Sequence, residues 1–230
     1  MNPTPRRTAV PPPDLSVLPA VDWPRQETPG FPLRAAHSGV HLGADRVGRP
    51  VTLPGAGPRG TRIGVLGESL FGRLLACRLV AVGARVTAAT RVPDQWTLLE
   101  AACGDRLAVT GDAGGWPDTP GEPPDAGDGP QALVTDLRRP PATAAADGPW
   151  TTVVHVTRRP PARSGHWQRL DAVLVLDAGY ADAVTPVLGE GAGRLAGGLA
   201  QGEIALFGPG GADVLCLDIA PAETSLLTPG

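Results

Sequence analysis

The composition of this 230-residue chain excludes several kinds of protein before any motif is considered. Its 20 basic residues are all arginine, so no lysine is available for Schiff-base chemistry or phosphate binding. A net charge of -3 gives no basic surface for nucleic acid, and no apolar run approaches the roughly 20 residues that span a bilayer. We therefore expect a cytoplasmic protein, or one that a partner holds at the periphery of a membrane complex.

The 31 glycines and 27 prolines divide the chain into ordered and irregular parts. Residues 1–33 are proline-rich and contain no strand-length apolar run, which is typical of a disordered arm. Residues 34–220 contain the apolar segments of one α/β domain, and residues 221–230 are predicted to be a tail. Three polar insertions, at residues 111–130, 138–149 and 158–170, interrupt the domain. The first is so rich in Gly, Pro and Asp that it favours disorder.

The clearest predicted unit is a strand, turn, helix and second strand between residues 61 and 91. The strand is a short apolar run, and residues 67–72 form a turn that is bounded by glycines. Residues 70–82 are apolar almost all round and end at Gly83, which is suited to the position after a helix. A helix and strands buried in this way are typical of a parallel sheet that is covered on both faces.

The other elements follow the same reasoning. Alternating segments within residues 39–54 predict an N-terminal β-hairpin, and a GPGG turn at residues 208–211 predicts a C-terminal antiparallel hairpin. Strands are predicted at residues 106–110, 132–137, 151–157, 171–177, 203–207 and 213–218, and helices at 93–103, 180–188 and 191–200. The expected fold is a three-layer α/β domain, P-loop-like or Rossmann-like, with a mostly parallel sheet.

The turn can be compared with the dinucleotide fingerprint G-x-G-x-x-G. Its glycine positions here are Gly67, Ser69 and Gly72, so the middle glycine is missing, and Glu68 places a negative charge where a pyrophosphate would lie. The second strand ends at Arg91 and lacks the usual acid, and an arginine there suits the 2′-phosphate of NADP. An NADP-binding or nucleotide-sensing Rossmann protein is therefore one hypothesis.

The same turn has the glycine spacing of the phosphate-binding loop G-x-x-x-x-G-K-[ST]. Arg73 and Leu74 stand in place of the lysine and the hydroxyl residue, so the terminal phosphates and magnesium lose their usual ligands. Asp177 ends a buried strand as a Walker B acid does, but Ala178 follows it instead of a glutamate. The alternative is structural: Gly67 and Gly72 would simply allow a tight turn and close packing of helix on strand.

Other chemistry has weaker support in the sequence. The four histidines have no companion ligands at metal-binding spacing, and no G-x-S-x-G nucleophile motif is present. We therefore expect no catalytic residues, no metal and no cofactor.

Three segments together resemble a known family. The run HLGADRVGRPVTLP followed by TRIGVLG is similar to the entry of the motor domain of FtsK/HerA-type DNA translocases and their type VII secretion relatives. The segment VLVLDAGYADAV resembles the Walker B strand and next helix of that family, and GEIALFGPGGADVLCLDIAPAE resembles its closing hairpin.

This resemblance implies a degenerate, non-catalytic P-loop domain. The leading hypothesis is an assembly or regulatory component with protein partners, in a type VII secretion apparatus. Its vestigial nucleotide site would comprise Gly67, Glu68, Ser69, Gly72, Arg73 and Asp177. A ligand-free α/β interaction domain is the remaining alternative.

Overall fold

The computed structural model describes residues 39–117, 119–124, 128–160 and 164–228, so the arm predicted at residues 1–33 lies outside the described residues. The described residues form ten strands: β1 (Gly39–Asp45), β2 (Pro50–Pro54), β3 (Thr61–Leu66), β4 (Arg85–Ala89), β5 (Leu107–Thr110), β6 (Gln131–Thr135), β7 (Thr151–Thr157), β8 (Ala172–Val175), β9 (Glu203–Gly208) and β10 (Gly211–Leu217). They also form five α-helices: α1 (Ser69–Ala81), α2 (Thr97–Cys103), α3 (Ala181–Leu188), α4 (Glu190–Gly197) and α5 (Pro221–Leu227).

The strands form one sheet in the order β2-β1-β10-β9-β8-β3-β7-β6-β4-β5. Neighbours from β8 to β5 are parallel, and those from β2 to β8 are antiparallel. The N-terminal hairpin joins the C-terminal hairpin through the pairing of β1 with β10. The predicted α/β class, the mostly parallel sheet and both hairpins are therefore confirmed.

Helices cover both faces of the sheet, because successive side chains of a strand point to opposite faces. On β3, Ile63 and Val65 belong to the larger core cluster, which includes α1, Leu99 of α2 and Leu227 of α5. Leu66 belongs to a second cluster with residues of α3 and α4. The domain consequently has the three layers that the sequence predicts.

The end of α1 follows the prediction closely. Gly83 has φ of 95°, a left-handed conformation that favours glycine, and its N–H donates to the carbonyl of Val80 over 2.9 Å. The N–H of Ala84 then donates to Leu79 over 3.0 Å, so the last carbonyls of the helix have partners. This tight ending returns the chain directly into β4.

The structure differs from the sequence-based expectation in two places. Where a tail is predicted, residues 221–227 form α5, because Leu227 is buried in the core cluster and Glu223 pairs with Arg78 of α1. The described residues of the 111–130 loop contain no helix or strand, yet Ala113 and Trp116 pack against a small apolar cluster. No helix within the described parts of the chain is both long and apolar enough to cross a membrane.

Candidate functional site

The turn after β3 is much shorter than a phosphate-binding loop. Only Gly67 and Glu68 separate the strand from α1, which begins at Ser69. The N–H of Gly67 donates to the carbonyl of Thr157 over 3.0 Å, and a Cβ at position 67 would lie 2.1 Å from the Leu176 side chain. Glycine is needed at this position because the turn presses against the strand beside it.

The residues that match the end of the phosphate-loop pattern lie inside the helix. The first four N–H groups of a helix are free to bind a ligand, whereas later N–H groups bond to carbonyls of the helix itself. Gly72 is the fourth residue of α1, Arg73 and Leu74 follow it, and all three are buried. The N–H groups of Arg73 and Leu74 are therefore committed to the helix, and none of the three residues faces an open loop.

Gly72 has a packing role in this helix. A Cβ there would lie 3.2 Å from Cγ2 of Val156 and 3.4 Å from Cγ1 of Val134, which belong to β7 and β6. The missing side chain lets α1 approach the sheet closely, as the structural alternative for Gly67 and Gly72 predicts.

Arg73 is turned away from the mouth of the turn. The side chain is 6% exposed, and its Nη1 donates to the backbone oxygen and Oε1 of Gln95 over 2.7 Å and 3.1 Å. Burial lowers the pKa of Arg73, and the charge of Asp136 partly offsets that effect. This guanidinium stabilises the segment that precedes α2 and does not project toward solvent.

Asp136 lies beside the start of α1 and was not among the residues selected from the sequence. Its Oδ2 accepts hydrogen bonds from Ser69 Oγ and from Thr90 Oγ1, the latter over 3.1 Å. Its other oxygen, Oδ1, is buried and has no hydrogen-bond partner among the described residues. The strand predicted at residues 132–137 would include Asp136, whereas β6 ends at Thr135 and Asp136 directly follows this buried strand.

Asp177 lies at the same edge of the sheet but has a local role. The side chain is exposed and accepts a hydrogen bond from the N–H of Gly179 over 2.7 Å, which stabilises the turn before α3. Leu176 lies between Asp177 and the β3 turn and packs against Gly67. Within the described residues Asp177 is thus a turn-capping residue.

Glu68 gives the turn a negative charge that Arg158 balances. Glu68 Oε1 lies 2.8 Å from Arg158 Nη2, and both side chains are mostly exposed. Glu68, Asp136 and Asp177 follow β3, β6 and β8, whose carboxyl ends meet at one edge because the strands are parallel. That edge carries carboxylates where a phosphate group would need cations or free N–H groups.

Arg91 lies far from the β3 turn. It is exposed and follows β4, which β7 and β6 separate from β3 in the sheet. Three strand spacings amount to about 14 Å. In the dinucleotide-binding fold the first two strands are neighbours, so this strand order does not favour the NADP interpretation.

The described residues also contain no group of three or more His, Cys, Asp and Glu residues that could hold a metal ion. The polar contacts near the β3 turn are the hydrogen bonds of Ser69 and Thr90 to Asp136 and the ion pair of Glu68 with Arg158.

Comparisons with known proteins identify similar folds. The structure resembles the cytoplasmic domain of the type VII secretion ATPase EccC from Thermomonospora curvata, with a TM-score of 0.53, 13% identity and coverage of 84% of this chain and 31% of that one. The genome packaging NTPase B204 from Sulfolobus turreted icosahedral virus 2, in complex with sulfate, matches with a TM-score of 0.48, 10% identity and coverage of 70% and 98%. No protein-family model and no curated protein sequence matches the chain.

The likeness to EccC establishes the fold and nothing finer, because the identity is 13%. The chain has an ATPase-like α/β fold of the kind that the FtsK/HerA resemblance predicts, so that resemblance is confirmed at the level of the fold.

Proposed function

We propose that this chain is a non-catalytic P-loop-like domain that acts as an assembly or regulatory component of a type VII secretion apparatus. The observation that carries the non-catalytic part is the start of α1 at Ser69, two residues after β3. A phosphate cradle needs an extended loop whose N–H groups converge on the ligand, and two residues do not provide one.

The side chains around the turn support the same conclusion. Phosphoryl transfer depends on positioning of the phosphates, on metal ions that neutralise their charge and on a residue that orients the nucleophile. The one arginine within α1 near the turn, Arg73, is buried against Gln95, and the exposed Arg158 pairs with Glu68. Ser69, which could otherwise ligate a cation, donates a hydrogen bond from its hydroxyl group to Asp136.

Two observations support a role in assembly. The fold resembles that of the cytoplasmic domain of a type VII secretion ATPase, which supports a place in such an apparatus. Leu70 and Ile219 are each 45% exposed and border an apolar groove of about 320 Å³ between α1, β10 and α5. Exposed apolar grooves of this kind are typical of protein-binding surfaces.

The first experiment measures nucleotide binding and turnover by the purified full chain. We expect no hydrolysis of ATP with magnesium above background and no thermal shift with ATP, ADP, NAD or NADP at millimolar concentration. A ligand at 100 times its Kd stabilises by about 2.7 kcal/mol, or roughly 5–11 °C for a domain of this size, so binding would be easily visible. Hydrolysis that Asp136→Ala or Asp177→Ala abolishes would overturn the non-catalytic assignment.

The second experiment tests the secretion context separately. The full chain is titrated against the purified cytoplasmic domain of EccC from Thermomonospora curvata, and complex formation is followed by sedimentation velocity. We expect a complex that Leu70→Asp weakens, with Val82→Asp, another exposed residue of the α1 region, as the matched control. Absence of a complex would remove the secretion assignment and leave the non-catalytic one intact.

A further inference from the structure

Two buried histidines lie where the segment between β7 and β8 packs on the sheet. His155 of β7 and His166 of the connecting segment are both 0% exposed, and their ring centroids are 6.3 Å apart. His155 points away from α1, because its neighbours Val154 and Val156 belong to the core cluster on the α1 face. Trp167, 5% exposed, covers His155 with an edge-to-face contact at 5.9 Å.

The hydrogen bonds of His155 fix its protonation state. Trp167 Nε1 lies 2.7 Å from His155 Nδ1, and an indole N–H can only donate, so Nδ1 must be unprotonated. His155 Nε2 lies 3.0 Å from the carbonyl of Leu137 and must donate to it. The ring is therefore neutral, and a second proton would have no site until Trp167 moved away.

His166 has no comparable pair of partners. Its Nε2 lies 3.5 Å from the carbonyl of Ile63, and its buried Nδ1 has no hydrogen-bond partner among the described residues. A proton on Nδ1 would create a buried cation beside His155 with nothing to accept its hydrogen bond, which is costly.

Trp167 also holds the segment in place by packing. A Cβ on Gly64 of β3 would lie 2.9 Å from two carbons of the Trp167 ring, so the indole occupies the space that this glycine leaves. Gly64 pairs with His155 in the sheet, and Trp167 thus rests on two neighbouring strands. Leu170 Cδ1 would lie 2.7 Å from the same Cβ, so Trp167 and Leu170 together pack residues 164–170 onto the sheet, and Trp167 alone adds a hydrogen bond to His155.

We propose that Trp167, His155 and His166 form an acid-sensitive latch that holds residues 164–170 on the sheet and releases them when an imidazole becomes protonated. Trp167 also forms part of a cleft with Tyr180 and Val187 of the α3 region. Release of the latch therefore changes the shape of that cleft as well as the exposure of the indole.

The charged groups around the pair set the direction of the response. The charge of Asp136 favours the protonated form of His155, whereas the charge of Arg62 disfavours the protonated form of His166. Arg62 is itself paired with Asp147, and its backbone N–H donates to Asp171. Burial is the largest influence: it lowers the pKa of His155, and it lowers the pKa of His166 to about 4.

The sign of the effect follows from these directions. A released histidine has the ordinary pKa of 6.5 and binds protons more readily than the latched one. The latched state is fully stable above that value, and it loses stability as the pH falls toward 4. For His166 alone, the release equilibrium rises about 30-fold between pH 8 and pH 5.

The test is nuclear magnetic resonance of the ¹⁵N-labelled full chain. At pH 7.5 we expect His155 in the Nε2–H tautomer and slow exchange of the Trp167 indole proton. The equilibrium constant for release of Trp167 is obtained from this exchange rate after division by the intrinsic exchange rate at each pH. It should increase by about 30-fold between pH 7.5 and pH 5. Trp96, whose indole is 1% exposed and bonds to no described residue, should keep its protection as the control for global unfolding.

A double variant then separates the effect of histidine protonation from the effect of side-chain packing. Glutamine can accept from Trp167 and donate to Leu137 but cannot be protonated, so His155→Gln with His166→Gln should remove the pH dependence. Three results would overturn the proposal: an Nδ1–H tautomer at His155, unchanged Trp167 exchange in the unmodified chain at pH 5, or exchange that rises together with that of Trp96. All three are measured on the unmodified chain, so a poorly folded double variant leaves the test intact.

Discussion

Arg78 joins four elements of the domain through one buried side chain. Its guanidinium donates to both carboxylate oxygens of Glu223 in α5, over 2.7 Å and 2.9 Å. It also donates to the carbonyls of His41 and Leu42 in β1 and to that of Asp218 after β10. The side chains of Arg78 and Glu223 are only 10% and 17% exposed.

We predict that Arg78→Met destabilises the domain strongly. Methionine preserves much of the apolar stem but leaves the Glu223 carboxylate without a cation and removes one donor from each of three carbonyl groups, of which that of Leu42 keeps the N–H of Asp218. Removal of one partner from a buried ion pair costs about 3–5 kcal/mol, which corresponds to a loss of roughly 6–20 °C in Tm for a domain of this size. Urea unfolding and calorimetry of the purified variant measure both quantities.

The chain offers a matched control in Arg46. It also makes two hydrogen bonds to a glutamate, Glu203, over 2.7 Å and 2.6 Å, but its side chain is 61% exposed. Because water can replace the arginine there, Arg46→Met should cost much less than Arg78→Met. The double change Arg78→Met with Glu223→Met should recover part of the loss by removing the unpaired charge.

Two results would contradict this reasoning. Equal losses in the Arg46 and Arg78 variants would show that burial does not decide the strength of the pair. A double variant less stable than Arg78→Met alone would show that the unpaired carboxylate is not the source of the cost.

Three further predictions concern other parts of the domain. Gly72→Leu should lower the free energy of unfolding by about 1–3 kcal/mol, because even a Cβ at this position would lie 3.2 Å from Val156. An unchanged midpoint of urea unfolding would refute the packing role of Gly72. The Glu203 carboxyl should titrate with a pKa of about 2, and this pKa should return toward 4.5 in Arg46→Met. Its stabilising effect is therefore lost as the pH falls from 4.5 toward 2. The ¹³C chemical shift of the carboxyl, followed against pH, tests both statements. Deletion of residues 221–230 should lower the midpoint markedly because it removes buried Leu227, and an unaffected midpoint would restore the prediction of a loose tail.

Local signals were sufficient for most elements of the fold. The apolar run of β3, the apolar helix and Gly83 predicted the central unit, and the turn residues predicted both hairpins. α5 also carries a local signal, with Pro221 at its first position and Glu223 bonding to the N–H of Ala220 over 2.9 Å. The segment is short and mostly polar, so the sequence pattern predicts a tail there despite this helix-start signal.

The site depended on long-range information that local patterns lack. The sequence shows the spacing from Gly67 to Gly72, but spacing does not reveal whether the residues between them form a loop or the first turn of a helix. The strand β8 lies directly beside β3, whereas β6 lies two strands away on the other side. Helix α1 nevertheless packs over β7 and β6, where Gly72 contacts Val156 and Val134. Asp136, and not Asp177, therefore meets Ser69. The path of α1 across the sheet thus decides which acid reaches the turn.

Isothermal titration of ATP with magnesium tests the central claim most directly. It should be performed on the unmodified chain and on the variant Arg73→Lys with Leu74→Thr, which restores the phosphate-loop residues in sequence. Because both positions lie in a buried part of α1, we predict that neither protein binds ATP at millimolar concentration. Binding by either protein with a stoichiometry near one would contradict it, since the turn after β3 would then provide a phosphate site.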